Sequence, residues 1–218
     1  MLAWAVRLMP GSGARVWRAA AAVRWGEARA DRGEDPREAY RAAVADAERR
    51  IAESSTERSW ARGVRGEARL RWGVWEEDAG RDGSSHHAAA LTDYDEVCAT
   101  SPAPQALTGR AELHVRMAER AERTGGDVTE PCRRALADAK SALQLNLLAV
   151  EALLIQGRAK TLLGQPAEAV RDIEWFVLAR PKAALGWRWR GDAHRRAGDV
   201  RAAERDVARA KELARRDR

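Results

Sequence analysis

Residues 157–172 read GRAKTLLGQPAEAVRD, and residues 191–206 read GDAHRRAGDVRAAERD. At an offset of 34 residues the two stretches share their first glycine, a second glycine, an alanine and the closing aspartate. Each stretch consists of an apolar-striped segment, a glycine turn and a second apolar-striped segment, which is the pattern of a helical hairpin. Because the pattern returns at a fixed period, it predicts a repeat protein built from such hairpins.

The same order of residues continues upstream with a longer period. Arg24-Trp25-Gly26 returns 47 residues later as Arg71-Trp72-Gly73. A series of Ala-x-x-Asp steps begins at residues 43, 90, 135, 169 and 203, so that successive steps are 47, 45, 34 and 34 residues apart. The extra 11 to 13 residues of the first three units fall between the first helix's glycine and the second helix. They predict a lengthened first helix and turn in these three units.

These patterns predict an all-α protein, an α-solenoid of about five helical hairpins of which the first three are lengthened. The array is expected to cover residues 1–218 as a single domain. Residues 1–10 are expected to be a partial repeat or an orphan helix, because they resemble the end of a second helix without its first helix. The five units that follow are 11–54, 55–101, 102–147, 148–181 and 182–218.

Small residues recur where the two helices of a hairpin are expected to cross. A glycine inside a helix costs about 1 kcal/mol relative to alanine, so its return at Gly66, Gly109, Gly157 and Gly191 indicates a close approach of helices. The alanine of each Ala-x-x-Asp step is expected to form the other side of the crossing. The residues of this repeat signature are Ala43, Ala90, Ala135, Gly157, Ala169, Gly191 and Ala203.

The repeat resembles a known family. A 34-residue helix-turn-helix with a Trp, a Leu-Gly step, a Tyr, an Ala-x3-Phe step and a closing Pro is the tetratricopeptide repeat (TPR) pattern. The last two units are similar to it at Trp187, Gly191, Ala203 and Val207, and at Leu153, Gly157, Ala169, Ile173 and Pro181. They depart from it at Arg190 and Gln156, where Leu is usual, and at His194 and Lys160, where Tyr is usual.

The TPR resemblance implies a concave groove that is lined by first helices and holds an extended peptide. By position, the candidate groove residues are Arg24, Arg71, Arg110, Arg158, Arg188 and Arg195. Guanidinium groups bind carboxylates through paired hydrogen bonds, so the partner is predicted to be a protein or peptide, with an acidic one favoured. The alternative that these arginines only solubilise the surface of the groove stays equally open.

Composition excludes several other classes of protein. The 218 residues are 45% hydrophobic and 33% charged, with a mean hydropathy of -0.56. No apolar run approaches the roughly 18 residues of a membrane-spanning helix. The segment from Met1 to Met9 is too short for a secretory signal and is interrupted by Arg7, so a cytoplasmic location is predicted. Cys98 and Cys132 stand far apart without a CxxC, which argues against a zinc site and a disulfide framework.

No catalytic signature is present: the sequence has no GxxxxGK[ST], GxSxG or HExxH motif. His86-His87 is a metal site only if further ligands converge on it, and solvated turn residues are the favoured interpretation. The chain is therefore predicted to be a non-catalytic scaffold for protein–protein interaction. No catalytic residue, metal, cofactor, small-molecule substrate or membrane partner is predicted.

Two alternatives stay open. The insert Arg32-Gly33-Glu34-Asp35-Pro36 resembles the lengthened TPR units that follow bacterial serine/threonine protein kinase domains. Because Asp-Phe-Gly and His-Arg-Asp triplets are absent, the chain would be the non-catalytic portion of such a kinase. The other alternative is an arginine-rich helical array that binds nucleic acid, since 39 basic residues against 33 acidic ones leave a net charge of +6. It is the weaker alternative, because acidic residues are interleaved throughout.

Overall fold

The computed structural model describes residues 14–216, which form ten helices and no strand. In chain order they are α1 (Ala14–Asp31), α2 (Arg37–Glu53), α3 (Arg58–Asp78), α4 (Ser84–Thr100), α5 (Pro104–Thr124), α6 (Thr129–Leu145), α7 (Val150–Leu162), α8 (Pro166–Ala179), α9 (Ala184–Arg196) and α10 (Val200–Arg216). Successive helices pair as hairpins 1 to 5. The predicted all-α fold of helical hairpins is confirmed, whereas the partial repeat at 1–10 lies outside the described residues.

The lengthening of the first three hairpins is confirmed and lies in their first helices. Helix α1 has 18 residues, and α3 and α5 have 21 each. Helices α7 and α9, which are the first helices of hairpins 4 and 5, have 13 residues each. At about 1.5 Å of rise per residue, the eight extra residues of α5 extend it by about 12 Å. The last turns of α5 therefore reach residues that the shorter helices could not.

The helices form two compact units, Met1–Gly109 and Arg110–Arg218, and the boundary falls inside α5. In the first unit, Val16 of α1 and Ala61 of α3 belong to one fully buried apolar cluster. In the second, Ile173 of α8 is fully buried in a cluster with residues of α7 and α9. The predicted division of residues 1–218 into one array of five units stays a prediction.

Each hairpin turns at a glycine whose backbone is left-handed. Gly164 and Gly198 have φ values of +75° and +87°, and a glycine with positive φ occupies the corresponding turn of the other three hairpins. Glycine adopts this conformation without the clash that a Cβ atom would cause. After the turn of hairpin 5, Asp199 Oδ1 accepts a hydrogen bond of 3.0 Å from the Ala202 N–H. This bond satisfies a free donor at the start of α10.

The small residues of the repeat signature lie inside the hairpins. Ala43, Ala90, Ala135 and Ala169 are fully buried, and Ala203 is 2% exposed. A Cβ atom on Gly191 would lie 3.2 Å from the Ala203 carbonyl oxygen. A Cβ atom on Gly157 would overlap Ile173 Cγ1 and lie 3.1 Å from the Ala169 carbonyl oxygen. These helices approach each other closely because the glycines carry no side chain.

Gly109 has a different neighbour from the one that the sequence suggests. A Cβ atom on Gly109 would overlap the ring of Tyr94, which belongs to the preceding hairpin. The residue of hairpin 3 that corresponds to Gly66 is Ala111, since each stands 27 residues before the aspartate of its hairpin. Ala111 is fully buried. The close approach that the sequence indicates at Gly109 is therefore present, and it is made with Tyr94 of the preceding hairpin.

Replacing Ala203 by leucine is expected to wedge α9 and α10 apart and to lower the free energy of unfolding by about 1 to 3 kcal/mol. The reason is that Ala203 is buried and its backbone faces Gly191. Ala208 lies exposed on the same helix, so Ala208→Leu serves as the control and should change stability by less than about 0.5 kcal/mol. Equal thermal melting temperatures for Ala203→Leu and the original chain would contradict the expectation.

Candidate functional site

The aspartate of each Ala-x-x-Asp step pairs with a basic residue of the first helix in its own hairpin. The pairs are Arg18–Asp46, Arg65–Asp93, Arg110–Asp138, Lys160–Asp172 and Arg190–Asp206. The first three span 28 residues each, a regularity that is visible in the sequence and was not used there. Several of these aspartates are buried, including Asp93 at 1% and Asp206 at 4% exposed. Because a buried charge needs a partner, this aspartate forms an ion pair with the first helix in every hairpin.

In the first unit, both candidate groove arginines bind carboxylates of the chain. Arg24 is exposed, and its Nη1 lies 2.7 Å from Glu27 Oε2 while its Nη2 lies 3.1 Å from Glu67 Oε1. Arg71 Nε lies 2.9 Å from the other carboxylate oxygen of Glu27. The positive charge of this pair of arginines is therefore largely balanced by their neighbours.

In the second unit, Arg110 is likewise committed within its hairpin. Its Nε and Nη2 donate hydrogen bonds of 2.8 and 2.7 Å to the two carboxylate oxygens of Asp138. This bidentate geometry is the strongest form of an arginine–carboxylate contact. Arg110 therefore connects α5 with α6 and does not present its guanidinium to a partner.

A cleft of about 480 Å³ lies in the second unit, between residues of α5, α7, α9 and α10. Its lining comprises Glu119, Glu122, Thr161, Leu162, Arg188, Trp189, Asp192, Arg195, Arg196 and Val207. Two of the predicted groove residues, Arg188 and Arg195, are among them. A third, Arg158, is buried behind the cleft lining and contacts the cleft residues Glu119 and Trp189. The structure thus brings three of the six arginines to one place.

Trp189 lies between two of these arginines. The Arg158 and Arg188 Cζ atoms lie 4.6 and 5.5 Å from the centre of the Trp189 ring, which is the distance range of cation–π contacts. The indole N–H of Trp189 is buried, and no hydrogen-bond acceptor for it exists among the described residues. A buried donor without an acceptor costs about 1 to 3 kcal/mol.

Two carboxylates of α5 bind arginines at the cleft. Glu119 Oε1 accepts hydrogen bonds of 3.1 and 2.6 Å from Arg158 Nε and Nη2. Glu122 Oε1 and Oε2 accept bonds of 2.7 and 3.2 Å from the two terminal nitrogens of Arg196. These bonds from Arg196 hold the pKa of the Glu122 carboxyl below its ordinary value. Glu122 is therefore ionised at neutral pH.

Arg188 and Arg195 differ from the other arginines of the second unit's cleft. Arg188 is exposed and forms no salt bridge within the described part of the chain. The side chain of Arg195 is 62% exposed, and its nearest carboxylate oxygen, on Asp192, is 3.9 Å away. At that distance and exposure an ion pair contributes little energy. Arg188 and Arg195 are therefore the least compensated arginines of this cleft.

The other candidate reactive residues, His86, His87 and Cys132, pack against other side chains or backbone of the chain. The His86 ring stacks on Trp72 at 4.3 Å between centres, and His87 packs against Gly73. Both histidines are half-buried, so the interpretation as solvated turn residues is wrong. Cys132 is fully buried, and burial raises the pKa of its thiol to about 11, which keeps it protonated at neutral pH.

Two further structural properties bear on the class of protein. Among residues 14–216, no three His, Cys, Asp or Glu side chains are grouped so that they could bind a metal ion. Over the same residues, no helix combines the length and the apolar character that crossing a membrane requires.

The sequence analysis missed Trp189 and the two glutamates Glu119 and Glu122. Trp189 stands in a Trp-Arg-Trp-Arg run from 187 to 190, so alternating aromatic and basic residues were a signal that was available. The glutamates lie in the part of α5 that the repeat comparison treats as an insert. Their arginine partners are 39 and 74 residues away, and no local pattern indicates such a distance.

The structure is similar to solved TPR proteins. TTC0263 from Thermus thermophilus, described as a thermophilic TPR protein, is 20% identical with a TM-score of 0.65, and the match covers 90% of this chain and 91% of that one. A TPR protein from Parabacteroides merdae is 17% identical with a TM-score of 0.56, covering 97% and 70%. YrrB, described as a TPR protein with an unusual peptide-binding site, is 13% identical with a TM-score of 0.54, covering 88% and 84%.

No protein-family model and no curated protein sequence matches the chain. The structural likeness extends over most of its length, and the repeats have the hairpin geometry that the 34-residue period predicts. The chain therefore has the tetratricopeptide-repeat fold.

Proposed function

We propose that the chain is a non-catalytic scaffold that binds an acidic segment of a partner protein in the cleft of the second unit. The carrying observation is that Arg188 and Arg195 are exposed at this cleft: Arg188 forms no salt bridge with the described residues, and Arg195 has only a loose contact of 3.9 Å with Asp192. Two positive groups that lie on one helix and are at most weakly compensated attract a ligand with negative charge. Carboxylates are the protein groups that pair with guanidinium through charge-assisted hydrogen bonds.

The size and chemistry of the cleft suit a few side chains of an extended segment. Its volume of about 480 Å³ lies within the roughly 300 to 1,000 Å³ of typical ligand sites. Trp189 supplies an aromatic, largely apolar surface to the lining of the cleft. The similarity to YrrB, whose description names a peptide-binding site, agrees with this kind of ligand.

Nucleic acid is the less favoured ligand, because arginines that could bind phosphate are already paired with carboxylates of the chain. Many arginines bind carboxylates of the same chain, among them Arg18, Arg65, Arg110, Arg158 and Arg190. Phosphate binding depends on basic groups that are available to release counterions, and these arginines are already paired. The kinase alternative and the cytoplasmic location stay predictions.

The test is a fluorescence anisotropy titration of the full chain with a labelled oligoglutamate peptide. An oligoglutamine peptide of equal length and an oligouridylate RNA serve as comparison probes. Oligoglutamate is expected to bind, more weakly as salt is added, and the double variant Arg188→Glu/Arg195→Glu should weaken binding by about tenfold or more. Tighter binding of the RNA than of the peptide would favour the nucleic-acid alternative instead.

The matched control is Arg133→Glu/Arg134→Glu. These two exposed arginines of α6 pair with Glu130 and do not line the cleft, and their replacement changes the net charge by the same amount. Its effect on oligoglutamate binding should be less than about threefold, since exposed charges at a distance are screened by salt. Absence of binding, or equal losses in the two double variants, would reject the cleft as the docking site.

A further inference from the structure

The last turns of α5 bring acidic side chains to the surface where an acidic partner is proposed to bind. Helix α5 has eight residues more than α7 or α9. Glu119 and Glu122 lie in this lengthened part and face Arg158 of α7 and Arg196 of α9. The chain thus places two of its own carboxylates on guanidinium groups of the cleft.

We propose that Glu122 is a built-in competitor that occupies Arg196 until a carboxylate of the partner exchanges with it. The inference rests on the proposed function, because it assumes that the cleft binds an acidic segment. Arg188 and Arg195 would make the first contact with that segment, and Arg196 would become a third binding group once Glu122 has moved away. Glu122 thereby sets how acidic a segment must be to bind well.

Glu122 is able to exchange, whereas Glu119 is not. The side chains of Glu122 and Arg196 are 41% and 38% exposed, so water and ligand reach both. The side chain of Arg158 is 5% exposed and is held on one side by Glu119 and on the other by the Trp189 ring. Separating Arg158 from Glu119 would leave a buried charge unpaired, which is costly. The Glu119–Arg158 pair therefore acts as a fixed part of the cleft wall.

The energy of the Glu122–Arg196 contact fits an exchange. Exposed ion pairs contribute about 0 to 1 kcal/mol, so replacing the Glu122 carboxylate by a carboxylate of the partner costs little. Arg196 is also held by Asp192, whose Oδ2 lies 3.2 Å from Arg196 Nε. This second contact keeps the guanidinium at the cleft when Glu122 leaves. Removing the Glu122 charge would also end its repulsion of a partner carboxylate.

The test compares oligoglutamate binding to the full chain and to Glu122→Gln. The variant is expected to bind about threefold to tenfold more tightly, because Arg196 becomes available and a repulsive charge is lost. In Glu122→Gln/Arg196→Gln the gain should largely disappear, since the group that Glu122 masks is gone. Arg196→Gln alone should not tighten binding, because it removes the guanidinium and leaves the Glu122 carboxylate at the cleft without this partner. The cycle of single and double variants isolates the coupling between the two residues.

Glu130→Gln provides the matched control. Glu130 is a half-exposed glutamate of α6 that pairs with Arg133 and Arg134, and its replacement removes the same negative charge away from the cleft. It should change the affinity for oligoglutamate by less than about twofold. Far-UV circular dichroism and thermal melting verify that every variant is folded.

The outcomes separate the two proposals. If the unaltered chain does not bind oligoglutamate, the proposed function fails and the competitor role fails with it. If the unaltered chain binds but Glu122→Gln binds equally or more weakly, only the competitor role is overturned. A gain that persists in Glu122→Gln/Arg196→Gln, or that Glu130→Gln reproduces, would also overturn it, since general loss of negative charge would then be the cause.

Discussion

Replacing Asp93 by alanine is expected to lower the free energy of unfolding by about 3 to 5 kcal/mol. Asp93 is 1% exposed, and its two carboxylate oxygens accept hydrogen bonds from Arg65 and Arg69, with an Arg65 Nε–Oδ1 distance of 3.0 Å and an Arg69 Nη1–Oδ2 distance of 2.7 Å. Removing the carboxylate leaves two partly buried guanidinium groups without their main partner. Glu48, 3.3 Å from Arg69, is half-exposed and compensates only weakly.

Urea denaturation followed by circular dichroism measures this effect. The control is Asp95→Ala, an exposed position two residues further along the same helix, which should shift stability by less than about 0.5 kcal/mol. An Asp93→Ala variant that unfolds at the same urea concentration as the original chain would show that the ion pair contributes nothing net. Buried pairs that can be replaced by apolar groups at no cost are known, so the experiment has a real alternative.

Replacing Gly157 by leucine is the second large effect, and a loss of about 3 kcal/mol is expected. A Cβ atom at this position would already overlap Ile173 Cγ1, and Ile173 is fully buried, so it has no room to move. The Ala169 carbonyl oxygen lies on the same side at 3.1 Å. Helices α7 and α8 would have to separate, and the apolar contacts shared with α9 would be weakened.

The matched control is Gly63→Leu, in the first half of α3. A Cβ atom on Gly63 would meet nothing within 4 Å, so the substitution should gain about 0.5 to 1 kcal/mol from the better helix propensity of leucine. The same chemical change is thus expected to have opposite signs at the two positions. Equal effects on thermal melting would mean that helix propensity, and not the close crossing, explains the glycine at 157.

Hairpins 4 and 5 show which features follow from the sequence period and which are seen only in the tertiary structure. The helices of hairpin 5 lie on either side of the glycine turn that the sequence pattern indicates, because Gly198 and Asp199 form the turn through contacts with residues close to them in the chain. Hairpin 4 obeys the same period, yet its ion pair uses Lys160 where hairpin 5 uses Arg190. The period places Asp172 and Asp206 at equivalent positions, but it does not indicate which residue of the first helix binds each of them.

The candidate site was less predictable than the fold. Counting positions along first helices identified Arg158, Arg188 and Arg195, but gave all six arginines the same status. The guanidinium of Arg110 is not available to a ligand, because it binds Asp138 of its own hairpin. The 28-residue spacing in the sequence would have indicated this pair. Arg158 is likewise unavailable, because it binds Glu119. No repeated spacing indicates this pair, because Glu119 reaches Arg158 only through the lengthened end of α5.

For the described residues, the amino-acid sequence alone determined the helical hairpins and the lengthening of the first three, since helical periodicity, turn glycines and small crossing residues act over a few neighbouring positions. Tertiary structure decided which arginines remain available. A guanidinium's availability depends on whichever carboxylate packing brings within hydrogen-bonding reach, and for Arg196 that carboxylate is 74 residues away in the chain. Whether a surface charge is paired depends on the residues that are close to it in space. It therefore cannot be predicted from the order of residues along one helix.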